Sequence, residues 1–114
     1  MVVLVCGSRN WSNFEVILSH LAVLSPSRVI HGGCAGADEL SGKAAKQLGF
    51  EVQVFKADWK RFGRGAGPMR NKQMLDEGRP DLVLAFHNDL ENSRGTLDMV
   101  RRAKASGIKV EIIR

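Results

Sequence analysis

The sequence predicts an α/β fold: a Rossmann-like, doubly wound parallel sheet of about five strands flanked by helices, in a single domain over 1–114. Apolar, strand-like runs alternate five times with segments of helical periodicity, the signature of such a sheet. The run 2–6, Val-Val-Leu-Val-Cys, is apolar throughout, as expected of a strand buried on both faces. Three glycine turns follow the first, second and fourth runs: Gly7-Ser8-Arg9, a central loop holding Gly32, Gly33 and Gly36, and Arg94-Gly95-Thr96. All three fall on the carboxyl edge of the sheet, where ligands of such folds bind, so their convergence defines one cleft.

In chain order, strand 2–6 is broken by Gly7-Ser8-Arg9-Asn10-Trp11. Ser12 or Asn13 can cap a helix in which Phe14, Ile17, Leu18, Leu21 and Leu24 recur at helical spacing. Ser25-Pro26-Ser27 stops it, and strand 28–31 leads into the central loop. A second helix covers 37–48, with Leu40, Ala44, Ala45 and Leu48 inward and Gly49 as its C-terminal cap. Strand 51–55 comes next. The polar stretch 56–68, with Trp59, Gly63, Gly65 and Gly67, reads as a functional loop or flap and not a packed element. A third helix over 69–77 starts at Pro68 and closes at Gly78. Strand 81–86, the polar segment 87–94, a helix over 96–106 closed by Gly107, and strand 108–113 complete the chain.

With 114 residues, 44% hydrophobic and 25% charged, the composition is that of an ordinary globular domain. No apolar run approaches the ~20 residues that span a bilayer, and residues 1–6 are too short and uncharged for a signal peptide. No membrane association and a cytoplasmic location are therefore expected. Two cysteines make neither a disulfide framework nor a zinc pattern, so no metal or cofactor is expected. Cys6 reads as a small buried residue. Cys34, at a helix start, is either a stabilised thiolate or a passive loop residue. A net charge of +5 favours anionic partners.

Glycines at a strand-to-helix junction bring backbone N–H groups close to a ligand, and a helix start adds partial positive charge. The three turns, with Arg9, Arg94, Ser8 and Thr96, thus suit a phosphorylated ligand. Arg70 and Asn71 start the third helix and can reach in from the side; a guanidinium suits bidentate phosphate recognition. Asp38 and Asp98 sit in first helical turns, where an acid complements the dipole. A carboxylate there can also accept ribose hydroxyls or stabilise positive charge developing on a ribose. Trp11 either stacks on a base or plugs the core edge, and Trp59, in the glycine-rich stretch, favours stacking. His31 orients the central loop, His20 is a solvated or core residue, and His87 is the best acid–base candidate of the three.

Four ordered motifs resemble one family: Gly-Ser-Arg-x-Trp, His-Gly-Gly-x-x-Gly-Ala-Asp, Ala-Gly-Pro-x-Arg-Asn-x-x-Met and Gly-Thr-x-Asp-Met. Together they resemble the YspA-type branch of the SLOG superfamily over 2–113; the superfamily is named for DprA and the cytokinin-activating phosphoribohydrolases. The resemblance implies a Rossmann-like sheet and a site for nucleotides or relatives of ADP-ribose, in a domain type that occurs in bacteria and their phages. Arg70 matches the arginine that the phosphoribohydrolases use in catalysis, and Gly95 and Thr96 match their phosphate loop. Their Pro-Gly-Gly is replaced by Glu91-Asn92-Ser93, and Met99 stands where they carry the catalytic glutamate, with Asp98 one residue earlier. Those enzymes are dimers, which allows a homodimer here.

The leading expectation is a nucleotide-binding sensor or sequestering module. The alternative is an N-glycosidic hydrolase using Arg70 and Asp98 as catalytic residues. A DNA-binding module ranks last, because the chain offers no basic surface with interleaved aromatics.

Overall fold

The computed structural model describes residues 1–114. Five strands, β1 (Val2–Gly7), β2 (Arg28–His31), β3 (Glu51–Val54), β4 (Leu82–Phe86) and β5 (Lys109–Ile113), form one sheet in the order β3-β2-β1-β4-β5. Every neighbouring pair is parallel, with Leu4 beside Ile30 on one side and Val83 on the other. The chain runs outward from β1 to β3, then returns to build β4 and β5 on the opposite side. This reversal places a topological switch point between β1 and β4.

Helices α1 (Phe14–Leu24) and α2 (Ala37–Gln47) cover one face, and α4 (Ala66–Gly78) and α5 (Gly95–Ala105) cover the other. The period of two along each strand divides the core between them. Val3, Val5, Leu84 and Phe86 pack with Ile17, Leu21 and Ala44. Leu4, Cys6, Val83 and Ala85 pack with Met74, Met99 and Ala103. The central strands β1 and β4 are therefore apolar almost throughout, while β3 and β5, at the edges, are only partly buried. No helix is long and apolar enough to cross a membrane.

The stretch 56–68 is more ordered than its glycine content suggests. Asp58 accepts a hydrogen bond from Arg61 N and caps a short helix, α3 (Trp59–Phe62). A 3-10 turn over Gly63–Gly65 then runs directly into α4, which begins at Ala66 and not at Met69. Pro68 lies inside the first turn, where its missing N–H costs nothing. Gly78 does not close this helix. Arg79 takes the left-handed position at φ 48°, while Gly78 is needed for packing: a Cβ there would lie 2.5 Å from Ile30 Cδ1.

Candidate functional site

The central loop is held by a carboxylate of its own chain. Asp38, buried in the first turn of α2, accepts hydrogen bonds at Oδ2 from the amides of Gly32 (3.1 Å) and Cys34 (3.2 Å). The Gly33 amide donates to Nδ1 of His31, and the Ala37 amide to Ser8 O. Much of the donor set that the sequence offered to a phosphate is thus satisfied internally. Gly32 makes room for Arg70, since a Cβ would meet its Nη1 at 2.4 Å. Gly36 presses against the backbone of Ser8 and Arg9 and so joins the first two turns. These glycines assemble the site from behind and do not line it.

Arg70 leans on that loop from α4. It is 9% exposed, and its Nη1 donates to Gly32 O at 2.7 Å while its Nε donates to Asn71 Oδ1 at 3.1 Å. Only Nη2 turns toward Cys34 Sγ, 4.0 Å away, so a bidentate grip on phosphate is not what this arginine is arranged for. Asn71 continues the chain of contacts: its Nδ2 donates to Gly95 O (3.2 Å) and to Asp98 Oδ2 (2.9 Å). Arg102, one turn on, donates its Nε to the same Oδ2 at 2.9 Å. A polar row from Asp38 through Arg70, Asn71 and Asp98 to Arg102 therefore crosses the floor of the site.

Above this floor, at the switch point, lies a cleft of about 850 Å³, within the range of small-molecule sites. Cys6, Cys34 and Trp59 are its only hydrophobic lining residues. It brings together Gly7, Ser8, Arg9, Asp38, Trp59, Arg70, Asn71, Gly95, Thr96 and Asp98 from the sequence-predicted set. Gly32, Gly33, Gly36 and Trp11 stay outside its lining. Trp11 packs on Phe86 with ring centroids 5.5 Å apart and donates its Nε1 to Asn13 O, so it plugs the core. His20 also packs edge-on against Phe86. His87 does line the cleft, its Nδ1 accepting from the Asp89 amide, which leaves Nε2 to carry the proton in the neutral ring.

The sequence reading missed Arg64, Asp89 and Ser93, all of which line the cleft. Arg64 carried a usable signal, a cation within a glycine-rich flap. Ser93 accepts from the Thr96 amide and caps α5, a role its position three residues earlier would have suggested. One further correction concerns α3. With the turn that follows, it exposes Trp59, Lys60, Arg61, Phe62 and Arg64 together, with the Arg61 guanidinium 5.0 Å from the centre of the Phe62 ring, so interleaved basic and aromatic side chains do occur. No group of three or more His, Cys, Asp or Glu is placed to hold a metal.

Burial pushes the Asp38 carboxyl up to about 6, against the hydrogen bonds from the loop and the Arg70 charge. Burial, with the cations of Lys46 and Arg70, pushes His31 down to about 4. The two act oppositely on stability. Between about pH 6 and 4 the folded state takes up the Asp38 proton before the unfolded chain does, so acidification strengthens the fold through Asp38. Between 6.5 and about 4 the unfolded chain protonates its histidine first, so acidification weakens the fold through His31. Asp38→Asn keeps one acceptor oxygen for both amides and removes the first contribution. Its stability is expected to fall more steeply than the parent's between pH 6.5 and 4, measured as urea midpoints at each pH. Parallel profiles would refute this coupling.

Fold and cleft together define a Rossmann-like α/β domain with a polar, arginine-bearing cleft at the switch point of its sheet. More narrowly, the chain belongs to the YspA, cpYpsA-related SLOG family, whose model matches residues 1–62. It is 38% identical over 118 residues to the Gene 61 protein of Mycobacterium phage D29, covering 95% of this chain and 92% of that one. Its fold is similar to that of DNA processing protein A (DprA) from Streptococcus pneumoniae, with a TM-score of 0.79 at 20% identity over 98% of this chain. The chain spans half the length of that structure, at 50%.

Proposed function

We propose that this chain binds a nucleotide or nucleotide-derived ligand, of nucleoside-phosphate or ADP-ribose type, as a sensor or sequestering module. The observation that carries the reading is the open donor set where α5 begins. The amides of Gly95 and Leu97 donate to no group of the chain, and Thr96 lines the cleft beside them. Arg94 and Arg9 stand exposed beside them on adjacent strand-end turns, and Trp59, half exposed, offers an aromatic face across the cleft. A helix start with open amides and two guanidiniums suits a phosphate, and the indole suits a base. Family membership supports the same reading. Mass spectrometry of small molecules released from the purified protein, followed by calorimetric titration with AMP, NAD and ADP-ribose, is the test. Binding tighter than millimolar is expected, weakened about tenfold or more by Arg94→Ala. Affinity weaker than millimolar for all of them would overturn the reading.

A hydrolytic reading is favoured by one observation: Asp98 keeps a carboxylate oxygen in the cleft, whereas Met99 is buried at 1% exposure. Free base appearing with time from nucleoside monophosphates or NAD, and lost in Asp98→Asn, would establish an N-glycosidase. Intact ligand after prolonged incubation would leave the binding module. The exposed basic and aromatic side chains of α3 give single-stranded DNA a foothold as well, which a steep fall of affinity with salt would reveal.

A further inference from the structure

Two histidines of the chain stand at strand ends and make the same turn. His31, the last residue of β2, accepts the Gly33 amide at Nδ1 (3.0 Å), and His87, the residue after β4, accepts the Asp89 amide at Nδ1 (2.9 Å). In both neutral rings the proton therefore sits on Nε2. Beyond that the two differ. His31 is 6% exposed, stays outside the cleft and packs over Gly42, where a Cβ would lie 2.8 Å from its Nε2. His87 lines the cleft, and its Nε2–H donates to no group of the chain. Arg28 Nε is the one buried side-chain nitrogen or oxygen without a partner, so Nε2 of His87 is open to solvent.

The surroundings of His87 define the acceptor that this donor lacks. Gly7 is paired with Phe86 across the switch point, and Ser8 N donates to Phe86 O at 2.9 Å. The turn carrying Arg9 and the turn carrying His87 thus leave the sheet side by side. His87 N donates to Ile113 O at 2.9 Å, which fixes the backbone that bears the ring. The carboxylates that line the cleft are engaged elsewhere: Asp38 by the loop amides, Asp89 by Asn92 Nδ2, and Asp98 by Asn71 and Arg102. The acceptor for Nε2–H therefore has to come with the ligand. Arg9, Arg64 and Arg94 on the same lining draw the most negative group of a ligand toward them. In a nucleotide that group is the phosphate.

We infer that His87 donates its Nε2–H to a phosphate oxygen of the ligand, with the Asp89 amide as the group that fixes the donating tautomer. This rests on the nucleotide reading of the same cleft and adds a neutral, directional donor to its phosphate site. Two substitutions separate the roles of the ring nitrogens. His87→Asn keeps an acceptor for the Asp89 amide, because an asparagine side chain bonds the amide two residues on, but it lacks the far N–H. His87→Gln is the converse: its side-chain amide carries N–H groups at the reach of Nε2 and gives up the turn.

The experiment is calorimetric titration of the intact parent, His87→Asn and His87→Gln proteins with AMP, ADP-ribose and adenosine. His87→Asn is expected to bind both phosphorylated ligands about tenfold or more weakly, the loss typical of a hydrogen bond to a charged acceptor, and to bind adenosine as the parent does. His87→Gln is expected to recover part of that loss, which a merely structural role of the ring would not allow. Imidazole nitrogen NMR spectra of the parent give a second reading that needs no variant to fold. A proton-free Nδ1 is expected for His87 in the neutral ring, with Nε2 shifting on addition of AMP. AMP bound equally by parent and His87→Asn, or Nε2 unmoved by bound AMP, would overturn the assignment and leave nucleotide binding standing. Equal losses for AMP and adenosine would overturn the phosphate as the acceptor. Absence of binding of all three ligands by the parent would overturn both readings.

Discussion

Arg70→Ala is expected to cost the fold about 3–5 kcal/mol, from the loss of two hydrogen bonds donated by a buried charged group at about 1.5–3 kcal/mol each. Two losses combine. Gly32 O, held at 2.7 Å, loses its charge-assisted donor, and Asn71 Oδ1 loses the guanidinium at 3.1 Å. The buried carboxylate of Asp38 also loses a compensating cation, which raises its cost at neutral pH. This second loss gives the prediction a pH signature. Below about pH 6 Asp38 takes up its proton, so the penalty of Arg70→Ala is expected to shrink at pH 5 relative to pH 7. Arg70→Lys restores the charge without the planar fork and is expected to fall between the two. Urea unfolding of the three proteins at both pH values checks this. A penalty under about 0.5 kcal/mol, the range of ordinary surface substitutions, would show that Arg70 is not a structural cation.

Gly36→Ala is expected to destabilise by about 3 kcal/mol or more, combining backbone strain with overpacking. Gly36 holds φ 75° and ψ −124°, a combination that L side chains rarely adopt. An added Cβ would also lie 2.3 Å from Ser8 O and 2.5 Å from Arg9 C. Those are backbone atoms, and Ser8 O is already held by the amides of Trp11 and Ala37. The first turn would have to move bodily and carry Arg9 with it. Gly49→Ala is the matched control, because φ is 81° there but nothing lies within 4 Å of the new methyl. It is expected to cost about 1 kcal/mol. Similar thermal midpoints for the two variants would show that the close approach of the loops contributes nothing.

The five strands and the helices on their two faces were legible because apolar periodicity and glycine turns are local signals. The carboxyl edge as the place of the cleft followed from strand alternation, whereas the switch point needed the strand order β3-β2-β1-β4-β5. Harder to see was what the glycines of the central loop are for. Gly32 and Gly36 read as openings for a ligand, yet each leaves space for another part of the chain, Arg70 in one case and Ser8 and Arg9 in the other. Sequence spacing cannot distinguish these, because both need the same missing Cβ. Asp38 was read through the helix dipole, and its hold on the loop amides depends on a turn geometry that composition does not encode. The same limit applies to Trp11, whose two readings were settled by its contact with Phe86 across 75 residues of chain. In 56–68 glycine content masked the Asp58 cap, a short-range signal that was present and outweighed.

Under the proposed function, the polar row beneath the cleft has a consequence for the entropy of ligand binding. Asp38, Arg70, Asp98 and Arg102 alternate in sign, so with all four ionised the row carries no net charge. Its buried members are already immobilised by their mutual hydrogen bonds. The cations left to meet a ligand, Arg9, Arg64 and Arg94, are exposed side chains on the rim. An anion seated there leaves the entropy of the floor unchanged but takes rotamer freedom from the rim, about 0.5–1.5 kcal/mol for each arginine that it orders. The molecule therefore joins a stiff base to a loose margin, and under the proposed function selectivity among anions of different shape would be set in that margin.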